Sequence, residues 1–204
     1  MLQLSLKNVQ VAIAGKVLLA ETGEPLAKAM VEMIEMPAKF QRILQLKAMQ
    51  AGDEWAIATE RIDRKLTRND GSFFFTDLPL GNYVVRASVV NGGSRYQAVT
   101  REFQVKQQQS STDLETAVGN LEILPTGIKG QVLANGQAIA YAKIRQVDDN
   151  TETLSDADGN YRFVGLEAAT QPTVFQISSA DFPPQRRSAM LQQGVMTTVD
   201  FSLD

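Results

Sequence analysis

The chain repeats itself, and this repetition constrains its fold more than any other feature. Gly15-Lys16-Val17-Leu18-Leu19-Ala20, then Gly23, then Leu26-Ala27-Lys28-Ala29-Met30-Val31 form one block. It lines up with Gly130-Gln131-Val132-Leu133-Ala134, then Gly136, then Ile139-Ala140-Tyr141-Ala142-Lys143-Ile144. Further on, Asp70-Gly71-Ser72-Phe73-Phe74-Phe75, ending at Leu78, lines up with Asp158-Gly159-Asn160-Tyr161-Arg162-Phe163, ending at Leu166. The offset is 115 in the first match and 88 in the second, so the first copy carries about 27 extra residues between the two blocks. Insertions of that kind belong in loops. At roughly 100–200 residues per domain, 204 residues allow one or two domains.

The repeated segments read as strands. Val9, Val11, Ile13, Val17 and Leu19 share one parity, as do Tyr83, Val85, Ala87 and Val89, and later Val195, Val199, Phe201 and Leu203. Period-2 alternation marks half-buried strands of antiparallel sheets. Leu2, Leu4 and Leu6 alternate with Gln3, Ser5 and Lys7, which predicts one more strand. The parity flips between Leu6 and Val9, so a bulge or turn is expected near Lys7-Asn8. Turn signals separate the strands: Thr22-Gly23-Glu24-Pro25, Asn69-Asp70-Gly71, Gly81-Asn82, Asn91-Gly92-Gly93, Asn135-Gly136 and Asp158-Gly159-Asn160. Both copies end in a strand-like segment, near Leu121–Leu124 and Val195–Leu203, with Pro125-Thr126-Gly127 as a short linker. The expectation is an all-β chain of two tandem antiparallel β-sandwiches, at 1–125 and 126–204.

Composition removes several function classes. There is no Cys and no His, which excludes disulfides, thiol chemistry and every His-based triad, and nearly all zinc sites. Lys plus Arg is 20 against 23 Asp plus Glu, a net charge of −3. That balance lacks the basic footprint of nucleic-acid binding. No apolar run approaches the roughly 20 residues that span a bilayer. The first residues lack the basic region of a secretory signal, and a cytoplasmic location is expected.

The extra residues of the first copy look helical from Pro37 to Ala51, with Pro37 as first helical residue, Gly52 as stop and an insertion spanning about 36–54. Phe40, Ile43, Leu44 and Ala48 share one face, and Leu46 and Met49 widen it. Trp55, the single Trp, is expected to open the next strand. One reading folds this helix back over its own sandwich. The other docks it on a partner through Phe40, Ile43, Leu44, Met49 and Trp55, with Leu2, Leu4 and Leu6 as an edge strand that a second chain could pair with.

Candidate chemistry is sparse. Asp156, Asp158 and Asn160, with Glu167 at the twelfth position, mimic a calcium loop, but Tyr161 stands where such a loop needs Gly, and a tight turn explains the same residues. Arg61, Arg64, Lys65 and Arg68 are interleaved with Glu60 and Asp63 and read as a solvated strand face. Glu32, Glu35, Asp53 and Glu54 likewise read as solvated. Gly92-Gly93-Ser94 reads as a hairpin turn. Trp55, Tyr96 and Tyr141 are the available aromatics for a sugar platform. No cofactor, metal or catalytic residue is assigned.

Gly-x-Val, a Gly turn, an Ala-x-Val/Ile strand and an Asp-Gly-x-Tyr/Phe-x-Phe turn-strand follow one another in both copies, and Leu78-Pro79-Leu80-Gly81-Asn82-Tyr83 completes the order in the first. This order resembles the carboxypeptidase regulatory-like domain, a transthyretin-like seven-stranded sandwich. The first copy carries the fuller motif. The second departs at Glu167-Ala168-Ala169-Thr170, where Pro-x-Gly-x-Tyr is expected. The resemblance implies an appended structural or interaction unit. The expected function is therefore a non-catalytic structural or adaptor subunit that contacts other protein subunits in a homo- or hetero-oligomeric assembly. By analogy, that assembly could be a phage-tail-like contractile injection particle. The alternative is an accessory carbohydrate- or peptide-binding module acting beside a separate enzyme.

Overall fold

A computed structural model of the chain describes residues 9–108, 113–149 and 151–203. Leu2, Leu4, Leu6 and the bulge expected at Lys7-Asn8 lie outside the described residues. The chain divides into two units: 1–90 with 98–123, and 91–97 with 124–204.

The first unit runs β1 (Val11–Leu19), β2 (Ala29–Glu35), α1 (Ala38–Ala51), α2 (Asp53–Ile57), β3 (Arg64–Leu66), β4 (Ser72–Thr76) and β5 (Gly81–Val89). The loop after β5 carries a 3-10 turn (Gly93–Arg95) and β6 (Tyr96–Gln97). Then follow β7 (Val99–Gln107), β8 (Leu114–Glu115), β9 (Ala117–Val118) and β10 (Leu121–Pro125). One sheet has β1 at its centre, flanked by β4 on one side and by β9 and β10 on the other, and the second has the order β3-β2-β5-β7-β8. Ile13, Val17, Phe73, Phe75, Tyr83, Val85, Leu121 and Ile123 are among its buried side chains.

The second unit repeats this plan with β11 (Gly127–Ala134), β12 (Gln137–Ala138), β13 (Lys143–Gln146), β14 (Glu152–Leu154), β15 (Asn160–Val164), β16 (Thr173–Ser178), β17 (Gln185–Ala189), β18 (Met196–Thr198) and β19 (Phe201–Leu203). β11 lies between β15 and the pair β18 and β19, and the other sheet is β14-β13-β16-β17. Its core gathers Ile128, Val132, Ile144, Tyr161, Phe163, Phe175, Ile177, Leu191, Phe201 and Leu203.

Both units are the expected antiparallel sandwiches, with one addition. In each unit the last strands run parallel to the first: β9 and β10 along β1, and β18 and β19 along β11. Alternation shows which face a residue takes but not the direction of the partner strand. At the join between the paired terminal strands the backbones approach closely. A Cβ on Gly15 would lie 1.8 Å from the Gly119 carbonyl oxygen, and one on Gly130 2.2 Å from that of Val199. There the side chains of Asn120 and Asp200 replace a main-chain acceptor, taking the N–H of Lys16 at 3.1 Å and of Gln131 at 2.9 Å.

A buried hydroxyl recurs at a second equivalent position. Thr67 Oγ1 donates to the Leu26 carbonyl and accepts the Ala29 N–H at 2.9 Å. Ser155 Oγ donates to the Ile139 carbonyl at 2.7 Å and accepts the Ala142 N–H at 2.9 Å. Each side chain satisfies both backbone groups of the turn leading into β2 or β13, groups that are costly to leave unpaired once buried.

Three expectations change. The register of β1 on β4 slips between Val11 and Ile13, so Ala12 and Ile13 are both buried while Val11 is exposed. Gly81-Asn82 is not a turn but the start of β5. Within the short linker Pro125-Thr126-Gly127, Thr126 is fully buried in the second unit. Its hydroxyl donates to the Ser94 carbonyl at 2.7 Å and accepts the Gly194 N–H at 2.8 Å. Gly92-Gly93-Ser94 belongs to the same arrangement: it is no simple hairpin turn but leads into the 3-10 turn, with Ser94 hydrogen-bonded to Glu167.

Thr67→Val and Ser155→Ala should each destabilise the unit that carries the change by about 2 kcal/mol, since each leaves a buried donor and acceptor unpaired. Urea denaturation followed by circular dichroism measures this.

Candidate interaction surface

α1 begins after Pro37, which occupies the N-cap position rather than the first helical one, and ends at Gly52 in a left-handed conformation (φ 59°). Trp55 lies not in a strand but in α2, since the chain re-enters a helix directly after Gly52. The insertion is thus a pair of helices between β2 and β3.

Phe40 anchors it. Its ring is buried and meets Tyr83 edge-on, with centroids 6.0 Å apart. Burial pushes the Tyr83 phenol up to about 12, and its hydroxyl donates to the Pro79 carbonyl at 2.8 Å. Phe40 is therefore core, and its place in a partner-binding set is corrected. Ile43 and Leu44 are half-buried. The apolar side chains that face solvent are Leu46, Met49 and Ile57, with exposures of 61 %, 80 % and 80 %. Ile57 escaped the sequence reading because that segment was assigned to a strand.

Two arginines tie α2 to the sandwich. Arg61 donates to the Trp55 carbonyl at 3.2 Å, lies 4.9 Å from the centre of the Trp55 ring, and grips Asp63 through two nitrogens at 3.0 and 2.8 Å. Arg64 donates to the Ala58 carbonyl at 3.4 Å and to Glu32 at 3.2 Å. These cations sit at the C-terminal end of α2, where unpaired carbonyls attract positive charge. Arg86 completes the group by binding Glu32. Asp63 is buried and Glu32 largely so, which corrects the reading of these charges as solvated.

Burial alone would raise the Glu32 pKa, but hydrogen bonds and positive charge from Arg86 and Arg64 outweigh it and hold the carboxyl below its ordinary 4.5. A hollow of about 420 Å³ opens beside these groups, lined by Lys47, Glu54, Trp55, Arg61, Ile62 and Lys65 among others. Its lining mixes apolar side chains with charges of both signs.

The other candidates resolve differently. Asp156 Oδ1 accepts the N–H groups of Asp158 and Asn160, each at 2.9 Å, which is a turn held by its own side chain. Glu167 does not join it. It accepts from the Ser94 N–H and hydroxyl and from Arg95 Nε at 2.9 Å. Hydrogen bonds from Ser94, helped by the Arg95 charge, outweigh desolvation and lower its pKa. Among the described residues no group of three or more His, Cys, Asp or Glu is placed to hold a metal ion. Among them too, no helix is long and apolar enough to cross a membrane. Trp55 is stacked under Arg61, so one face of its ring is already taken.

The fold and this surface define a class: a duplicated β-sandwich protein bearing one helical insertion. Residues 127–204 match the family model of the carboxypeptidase regulatory-like domain. That match lies in the second copy, although the first carries the fuller motif. No curated protein matches the chain in sequence. Among solved structures it is similar to the Bacillus anthracis TIE protein, at 12 % identity and TM-score 0.40, covering 95 % of this chain and 33 % of that one. It is also similar to a streptococcal ancillary pilin, at 13 % identity and TM-score 0.37, covering 96 % and 62 %. A third is the shaft pilin SpaA from Lactobacillus rhamnosus GG, at 9 % identity and TM-score 0.38, covering 97 % and 98 %. The chain thus spans a third of the first protein and less than two thirds of the second. Likeness at this level bears on neither partner nor activity.

Two outcomes follow from the geometry. Phe40→Ala should destabilise the first unit by about 3 kcal/mol, as removal of a buried ring does, whereas Met49→Ala should leave its denaturation midpoint unchanged. Because the folded Glu32 pKa is lowered, its pairing stabilises the protein above pH 4.5, and this contribution is lost as pH falls through the lowered value. The stability gap between wild type and Glu32→Gln should therefore be full at pH 7 and close on acidification, as thermal melts across pH will show.

Proposed function

We propose that this protein is a non-catalytic structural subunit that engages another protein through its helical insertion. The observation carrying this reading is the arrangement of the insertion. Phe40, Arg61 and Arg64 fix it to the sandwich, while Leu46, Met49 and Ile57 stand in solvent beside the Trp55 hollow. A helix pair that needed only to cover its own sheet would turn its large apolar side chains inward. The displaced pKa values belong to groups engaged in packing, turn or ion-pair roles rather than to a catalytic cluster. The proposed partner is another protein subunit of an assembly. No residue described above favours a contractile injection particle over other assemblies, and the proposal does not include one.

The test is a paired variant. In extracts of the native host, the wild-type chain should elute in a complex well above its own mass. Leu46→Asp combined with Met49→Asp should release it as a single chain with an unchanged melting temperature, since exposed substitutions alter stability by about 0.5 kcal/mol or less. A wild-type chain that elutes alone overturns the subunit reading. A variant that stays in the complex overturns the role of the insertion.

A further inference from the structure

The two units share one plan but differ at the outer edge of one sheet. In the second unit that edge is β15. Val132 donates its N–H to the Gly159 carbonyl at 2.8 Å, and alternate pairs along β11 and β15 bond in the same way. Arg162, opposite Lys129, therefore turns its backbone N–H and carbonyl outward. The hydroxyl of Thr153, on β14 of the other sheet, closes the seam by donating to that carbonyl at 3.1 Å.

β4 holds the same place in the first unit. Val17 donates to the Gly71 carbonyl at 2.9 Å, so Phe73 and Phe75 bond to β1 while Phe74, opposite Ala14, presents its backbone groups to the open side. β4 pairs with β1 alone among the described strands. The residue equivalent to Thr153 is Lys65, because Thr67 corresponds to Ser155. Among the described residues no side-chain hydroxyl donates to the Phe74 carbonyl. A cleft of about 150 Å³ runs along this seam instead, lined by Glu60, Lys65, Leu66, Arg68, Phe73 and Phe74 among others, Ser72 included. Phe74 is 38 % exposed, and the Arg68 guanidinium lies 4.8 Å from the centre of its ring. Neither Lys65 nor Arg68 has a carboxylate partner among the described residues.

We propose that the β4 edge takes an extended segment of a partner protein as an added strand, with one apolar side chain in the cleft and a carboxylate on Lys65 and Arg68. Free backbone groups on an edge strand give pairing, and alternate side chains give selectivity. A cavity of about 150 Å³ holds a group the size of a benzene ring. Lys65 and Arg68 outnumber Glu60, the one carboxylate of the lining, and set the charge of the occupant. They also disfavour a second copy of β4, which would bring its own Lys65 and Arg68 against them. This site shares Lys65 and Glu60 with the rim of the Trp55 hollow but does not use Leu46, Met49 or Ile57.

Selection of random heptapeptides displayed on phage against the full chain tests the proposal. The enriched peptides should alternate apolar and acidic residues. When bound, they should slow hydrogen exchange at the Phe74 amide about tenfold or more, and bind more weakly as salt rises. Lys65→Thr, which supplies the hydroxyl found in the second unit, should lower peptide affinity about tenfold with no loss in melting temperature. Phe74→Pro, which removes the outward N–H but leaves the bonds to β1, should do the same. Leu46→Asp with Met49→Asp should bind the peptides as wild type does. The proposal is overturned if no peptide is enriched, or if enriched peptides lack acidic residues. It is equally overturned if they leave Phe74 exchange unchanged, if they bind the Lys65→Thr chain equally well, or if the chain dimerises through β4 in their absence.

Discussion

In both units the first strand meets the last in parallel, and the two backbones come together at a residue that has no side chain. Gly15 faces the carbonyl of Gly119, and Gly130 that of Val199. Everything else in each sandwich is arranged around this contact. It places the first strand at the centre of its sheet, between the strand that follows the Asp-Gly turn and the strands that end the unit. At the contact the ladder is interrupted. Asn120 in one unit and Asp200 in the other reach across with a side-chain oxygen to accept the next N–H. A short polar side chain thus does locally what a continuous strand would do, and the terminal strand can kink without leaving a main-chain donor unmet.

The repeat visible in the sequence proves to be a repeat of hydrogen-bond roles. Thr67 and Ser155 differ in a methyl group, yet each closes the same turn with the same two bonds. Gly71 and Gly159 each offer their carbonyl to the valine two residues after the contact glycine. These features were legible because they are local: a turn residue, an alternating strand and a small side chain each leave a mark within a few positions. Parallel pairing was not legible, because nothing in the alternation of β10 or β19 specifies the direction of β1 or β11. The loop Asn91–Gln97 was misread for a related reason. Its partners Thr126, Glu167 and Gln193 lie far away in sequence. The motif departure at Glu167 coincides with its hydrogen bonds to Ser94.

The insertion was legible as a helix and misjudged as a surface. Spacing placed Phe40, Ile43 and Leu44 on one stripe, but a stripe does not say how deep the host sheet can receive it. Tyr83 leaves room for one ring, and Phe40 takes it. The remaining apolar side chains fall progressively outward along α1, so Met49, three turns beyond Pro37, is almost wholly in solvent. Charges, not apolar packing, hold the far end. Arg61 and Arg64 satisfy the last carbonyls of α2 while binding Asp63 and Glu32 on the sandwich. The sequence pattern of alternating sign suggested solvation because it is also the pattern of a paired cluster, and only burial distinguishes the two.

The two copies therefore differ least where they bury side chains and most where their sheets end. Phe73 and Tyr161, Phe75 and Phe163, Val17 and Val132 keep their places inside. A buried position is constrained by every neighbour it touches, so a changed residue there carries a packing penalty that surface positions escape. At the sheet margin that constraint relaxes. Thr153 closes one edge, and Lys65, its counterpart, leaves the other open. An open edge invites unintended pairing unless charge guards it, and the guard here is Lys65 with Arg68. Because such cations repel a strand that carries the same charge and attract one that carries the opposite, the charge that guards this edge against its own copy also suits it to the acidic segment proposed above.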